Sequence, residues 1–188
     1  MSATASHYSS PLLLALREGT QTCHRRLEAR LPFFSADFDQ AAYRRLMQAY
    51  FGFHAPLEAL LGAYQECERA KTPTLVADLL ALAMTRAEID TLPLCRALPQ
   101  ISDQASALGV MYVVEGSTLG GQVLKRAMSE RLALGADSGA GFLDVYGPLT
   151  GARWRSLLER LEQAPSGAED QTRTVQAGIP TFVWFDKW

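Results

Sequence analysis

Glycine lags behind alanine by about 1 kcal/mol in a helix interior. Yet the segment GVMYVVEGSTLGGQVLKR, Gly109 to Arg126, reads as a helix and carries Gly116, Gly120 and Gly121 in its middle. Residues four apart share a helix face, so Gly116 and Gly120 line up with Gly121 beside them, leaving a strip of bare backbone. Two arrangements use such a strip. Either a neighbouring helix packs against it at close range, or something flat and bulky lies on it. Both predict a bend where the glycines cluster.

A second segment, LREGTQTCHRRLE from Leu16 to Glu28, places His24 and Glu28 four residues apart. On a helix the carboxylate shares a face with the imidazole and is placed to orient it. Taken alone, a helical histidine such as His24 is more often a polar surface residue or a satisfied core group than a metal ligand. Cys23 is adjacent, but neighbouring helical residues point about 100° apart, so both do not address one metal from the same face.

Together the two segments resemble the heme oxygenase family. That family's first helix carries Leu-(Arg/Lys)-x-x-Thr-x-x-x-His-x-x-x-Glu, matched here by Leu16, Arg17, Thr20, His24 and Glu28. Its glycine-rich distal helix ends in Gly-Gly-Gln-Val-Leu-Lys, matched by Gly120 to Lys125. The form Tyr-Val-x-Glu-Gly-Ser-x-Leu-Gly-Gly is similar to the bacterial, biliverdin-producing branch, some members of which serve phytochromes. The resemblance implies an all-α, single-domain helical bundle spanning 1–188, with heme between a proximal helix and a kinked distal helix.

It also implies roles. Heme is both cofactor and substrate, and His24 binds its iron axially. Glu28 tunes that ligand through a hydrogen bond, or else forms an exposed salt bridge with Arg25. Gly116, Ser117, Gly120 and Gly121 form the distal wall, where bare backbone leaves room for oxygen at the sixth iron position. Thr20 and Tyr112 are further heme-contacting positions. Arg17, Arg153 and Arg155 are candidate partners for the propionates, with plain solvation as the alternative for each. Phe182 is a pocket wall or an ordinary core residue. Many family members carry an aspartate directly after the first distal glycine; here that position is Ser117, which holds no carboxylate charge. Glu115 lies roughly 200° around the helix from Ser117 and is no easy substitute.

Composition narrows the alternatives. A net charge of −2 lacks the basic excess of a nucleic-acid binder. Cys23, Cys67 and Cys95 are odd in number and widely spaced, indicating neither a disulfide framework nor a zinc site. No apolar run approaches the roughly 18 residues of a membrane span, and no signal peptide is evident. These features lead to the expectation of a soluble cytoplasmic protein. Electrons must come from an external reductase, ferredoxin or flavodoxin-type donor, because no nucleotide-binding glycine fingerprint follows a strand.

The pattern along the chain is helical throughout. Residues 1–8 are expected to be a flexible N-terminus, with a helix opening at Ser9-Ser10-Pro11 and running to Arg30. Asp39 is expected to cap a second helix that Pro56 kinks or divides. Further helices are expected over Thr74–Ala83, after the capping box Thr85–Glu88, and from Ser102 to Leu132. Beyond a glycine-rich connection from Gly135 to Gly151, Thr150 is placed to cap a helix through Gln163. Ser166–Glu169 reads as another capping box, and Pro180 is expected to bend or end the last helix. His54 sits in an aromatic run and reads as a packed helix residue.

The leading functional expectation is oxidative cleavage of heme to biliverdin, carbon monoxide and ferrous iron. The competing readings are a non-catalytic heme-binding or storage protein on the same fold, and an unrelated helical enzyme such as a thiamine-degrading one. Heme binding separates the first two from the third; survival of the heme under oxygen and reductant separates the first two from each other.

Overall fold

The computed structural model describes residues 10–164 and 167–188. The expected flexible terminus and the Ser166 end of the expected capping box lie outside them. Among the described residues the architecture is all-α, with eight helices and several short 3-10 turns.

Helix α1 (Pro11–Arg30) begins where the Ser10 hydroxyl accepts a hydrogen bond from the Leu13 N–H at 3.2 Å. Pro11 occupies the first turn, where a missing N–H costs nothing. Helix α2 (Gln40–Leu61) is capped by Asp39, whose carboxylate accepts from the Ala42 N–H at 2.7 Å. Pro56 does not divide it. Proline removes the bond to the carbonyl four residues back, here that of Gly52, and the backbone N–H of Cys95 donates to that carbonyl at 2.8 Å instead.

Helix α3 (Thr72–Ala81) starts two residues earlier than expected, with Pro73 in its first turn. Helix α4 (Arg86–Asp90) opens with the reciprocal Thr85–Glu88 capping box. The long glycine-bearing helix is two segments, α5 (Gln104–Gly116) and α6 (Thr118–Leu132), joined at Ser117. Its cap is Asp103 rather than Ser102, through reciprocal bonds between Asp103 and Ser106. Ser117 keeps helical dihedrals (φ −61°, ψ −27°), so the chain is re-aimed there without reversing.

Helix α7 (Thr150–Gln163) includes Thr150 as its first residue rather than its cap, and the Thr150 hydroxyl donates to the Gly147 carbonyl at 2.9 Å. Helix α8 (Ala168–Lys187) runs through Pro180 without ending there.

Two apolar clusters share α2. Its later half (Phe53, Leu57, Leu61) packs with Leu13 and Leu16 of α1, Leu108 of α5 and Leu157 of α7. Its earlier half (Tyr43, Met47) packs with Phe33, Leu75, Leu79 and Met128. Helices α5 and α8 meet backbone to backbone: a Cβ on Gly109 would lie 1.9 Å from the Thr174 carbonyl oxygen. Asp186 near the end of α8 pairs with Arg26 at 3.0 Å and Arg30 at 2.6 Å, fixing α8 along α1.

Candidate functional site

A cavity of about 840 Å³ opens between α1, the middle of α2, the α5–α6 bend and the end of α8. Its size falls within the usual range for small-molecule and cofactor sites. Helix α1 contributes Arg17, Thr20, His24 and Glu28, the one face that a 3.6-residue period defines. The bend contributes Tyr112, Gly116, Ser117 and Gly120, and α8 contributes Phe182.

His24 stands half exposed at the cavity, with Nδ1 3.2 Å from Glu28 Oε2. That contact leaves Nε2 as the nitrogen available for a ligand. The Phe182 ring meets the imidazole edge-on, with centroids 5.6 Å apart, so the ring is held from two sides. Of the two partners foreseen for Glu28, the structure places His24 beside it. Thr20 is buried and its hydroxyl donates to the Leu16 carbonyl at 2.7 Å, so the methyl, not a free hydroxyl, is what this residue has to offer. Tyr112 is pushed above the ordinary phenol value by burial, against the opposing pull of Arg17 across the α1–α5 gap.

The glycine strip divides. The missing Cβ of Gly120 would meet nothing within 4 Å, and that of Gly116 would touch only the Trp154 ring, at 3.6 Å. Both positions face the cavity. Gly121 does not line it: a Cβ there would lie 1.9 Å from the Leu143 carbonyl oxygen. Close packing, one of the two arrangements foreseen for these glycines, therefore occurs at Gly121, while Gly116 and Gly120 stay open to the cavity. Ser117 lines the cavity, and its hydroxyl donates to the Val114 carbonyl at 2.8 Å.

Two further expected site residues lie outside the lining. The Arg153 guanidinium sits over the Tyr146 ring, 4.8 Å from its centroid, and Arg155 is exposed on α7. Trp154 between them turns inward instead and stacks obliquely on Tyr112 at 5.5 Å. Helix phase decides this: a step of one residue rotates a side chain by about 100°. Among the residues lining the cavity, Arg17 remains as the arginine.

His54 also lines the cavity, although its sequence context reads as core. It is 4% exposed, and its Nδ1 has no hydrogen-bond partner, lying 3.6 Å from Glu58 Oε1. Burial lowers the imidazole below its ordinary value, with Glu58 opposing. Burial by itself would raise Glu58. It is outweighed by His54, by the Thr72 hydroxyl and by the Lys71 backbone N–H, which hold Glu58 down at about 2. Nothing in the local sequence separates such a histidine from a core residue, because its neighbours Tyr50 and Phe53 are the same aromatics a core would supply.

Apolar side chains also stand open at the cavity: Phe34, Leu119 and Val123 are 66%, 45% and 65% exposed. Large apolar side chains left open around a cleft mark a contact surface for a ligand or a partner. Among the described residues no group of three or more His, Cys, Asp or Glu is gathered to hold a bare metal ion.

The site is a cavity in an all-helical frame, with His24 on one wall and the glycines of the α5–α6 bend on another. The family model described as heme oxygenase matches residues 10–188, and the chain belongs to the heme oxygenase family. The fold is similar to that of the NO- and CO-bound heme oxygenase from Neisseria meningitidis, with a TM-score of 0.68 and 20% identity over 94% of this chain and 89% of that one. It is equally similar to the heme oxygenase from Leptospira interrogans, with a TM-score of 0.67 and 18% identity over 95% of this chain and 100% of that one. Among curated proteins no sequence match is found. No described helix is long and apolar enough to cross a membrane.

Proposed function

We propose that this single-domain chain is a biliverdin-forming heme oxygenase with His24 as the axial iron ligand. The observation that carries the proposal is the meeting of His24 with the bare backbone of Gly116 and Gly120 in one cavity. Bound heme supplies the iron at which oxygen is reduced and the meso carbon that is oxidised, giving biliverdin, carbon monoxide and ferrous iron. His24 Nε2 would hold the heme iron, with Glu28 holding the Nδ1 side of the ring. Arg17 is the cavity arginine suited to a propionate.

Gly116 and Gly120 let the distal backbone approach the macrocycle without a side chain occupying the oxygen site. The His54 imidazole and the Ser117 oxygen, the latter as an acceptor, are side-chain groups of the cavity able to order water in place of a distal carboxylate. The apolar walls, including Phe182, Phe185 and Trp154, exclude bulk water from the reacting face. Electrons come from an external reductase, ferredoxin or flavodoxin-type donor in the cytoplasm. A phytochrome is the proposed recipient of biliverdin, on the strength of the Tyr-Val-x-Glu-Gly-Ser-x-Leu-Gly-Gly form.

A heme carrier is the second reading, favoured by one observation: the residue after the first distal glycine is a serine whose hydroxyl is engaged by its own helix. Purified protein mixed with hemin, then given a reductant in air with catalase, decides between them. Oxygenase activity bleaches a histidine-type Soret band as a biliverdin band grows. An intact heme spectrum with a competent donor supplied establishes the carrier, and no Soret change removes both readings.

A further inference from the structure

Glu115 immediately precedes Gly116 at the C-terminal end of α5 and is 2% exposed. A carboxylate there faces the negative end of the helix dipole, and burial adds a desolvation penalty. Three donors offset this. Arg69 Nη1 donates to Oε2 at 2.9 Å, Lys71 Nζ to Oε1 at 2.7 Å, and the Tyr146 hydroxyl to Oε1 at 2.7 Å.

The donors come from separate parts of the chain. Arg69 and Lys71 lie in the segment joining α2 to α3, and Tyr146 lies ahead of α7. Lys71 Nζ also donates to the Tyr146 hydroxyl at 2.9 Å. Arg69 further donates to the Arg153 carbonyl at 3.4 Å and to Glu66 Oε2 at 2.6 Å. Arg69 therefore connects the end of α5 to the turn of α7 that carries Trp154, the ring that a Cβ on Gly116 would touch at 3.6 Å.

None of the four side chains lines the cavity, so the cluster performs no chemistry on the ligand. It lies one residue from the distal wall and on the upstream side of the bend. On the downstream side Gln122 and Lys125 are tied to Asp144, at 2.7 and 2.6 Å. The bend at Gly116–Ser117 is thus suspended between two polar anchors, of which the Glu115 cluster is the buried one.

We propose that Arg69, Lys71, Glu115 and Tyr146 form a latch that holds the end of α5 over the cavity, so that its release governs how fast the cavity opens to let the tetrapyrrole leave. These are positioning residues, and the proposal rests on the reading of the cavity as the heme site. Buried ion clusters contribute little net stability compared with apolar replacements; fixing one geometry of the bend gives this one a use.

The test compares Glu115→Gln and Tyr146→Phe with the parent protein. Tyr146→Phe keeps both cations on the carboxylate, so it remains informative should Glu115→Gln fail to fold. Two readouts are taken: amide hydrogen exchange of the apoprotein, and transfer of heme from the loaded protein to apomyoglobin. One lost hydrogen bond to a charged group predicts a change of about tenfold or more. Exchange should accelerate by that factor at residues 113–121 and stay unchanged in α1 and α8. Heme transfer should accelerate similarly while the histidine-type spectrum is retained.

Unchanged exchange and unchanged transfer in the folded variants overturn the latch. So does acceleration spread evenly over all helices, which would mark a role in global stability alone. Parent protein that takes up no heme would overturn the heme reading, while the exchange pattern would still judge the hold on the bend.

Discussion

At His24, orientation comes from a carboxylate on one side and an aromatic edge on the other, and both ends of the pair are half exposed or more. An exposed pair of this kind is worth about 0–1 kcal/mol. Glu28→Gln should therefore weaken heme affinity by less than about fivefold, as read by hemin titration. His24→Ala should lose the histidine-type Soret band and abolish turnover, with added imidazole restoring the spectrum; full turnover without imidazole would remove His24 from the ligand role. The contact between His24 and Glu28 was legible in the sequence, because the (i, i+4) relation is local to one helix. His54 was not. Its context is aromatic, and whether such a residue meets core or cavity depends on helices far away in sequence.

Within the α5–α6 element, neighbouring glycines serve opposite ends, and their alanine variants should differ in sign. A methyl on Gly121 collides with the Leu143 carbonyl, so Gly121→Ala should destabilise the apoprotein by about 1–3 kcal/mol. A methyl on Gly120 meets open space, so Gly120→Ala should stabilise the apoprotein by up to about 1 kcal/mol. That same methyl enters the cavity, and heme binding should weaken. Thermal melts of the apoproteins and hemin titrations check both halves; equal destabilisation by the two substitutions would contradict the divided strip. Helix starts at Ser10, Asp39 and Thr85 were legible because caps act over three or four residues. The passage of α2 through Pro56 was not, since its orphaned carbonyl is satisfied by Cys95, distant in sequence.

For the molecule as a whole, the wall between α2 and α3 makes stability depend on pH. Glu58 is held at about 2 in the folded state against an ordinary 4.5, so its ionised form stabilises the fold at neutral pH. A depressed carboxylate contributes its stability above the unfolded value and loses it as pH falls through the folded one. His54 adds in the same direction, because the folded state resists its protonation while the unfolded chain takes up a proton below the ordinary 6.5. The melting temperature should therefore fall from about pH 6.5 downward, most steeply below 4.5, and Glu58→Gln should flatten the lower part of that profile. An unchanged profile in Glu58→Gln would locate the acid sensitivity elsewhere. The sequence by itself determined the all-helical class, most helix starts and the two segments that meet at the cavity, because periodicity and capping are local. Only the tertiary structure decided that Trp154 rather than Arg153 or Arg155 turns inward, that Gly121 packs while Gly120 stays open, and that Glu115 is held by Arg69, Lys71 and Tyr146. Each of those outcomes depends on the rotational phase of one helix against another, and that phase is set by long-range packing.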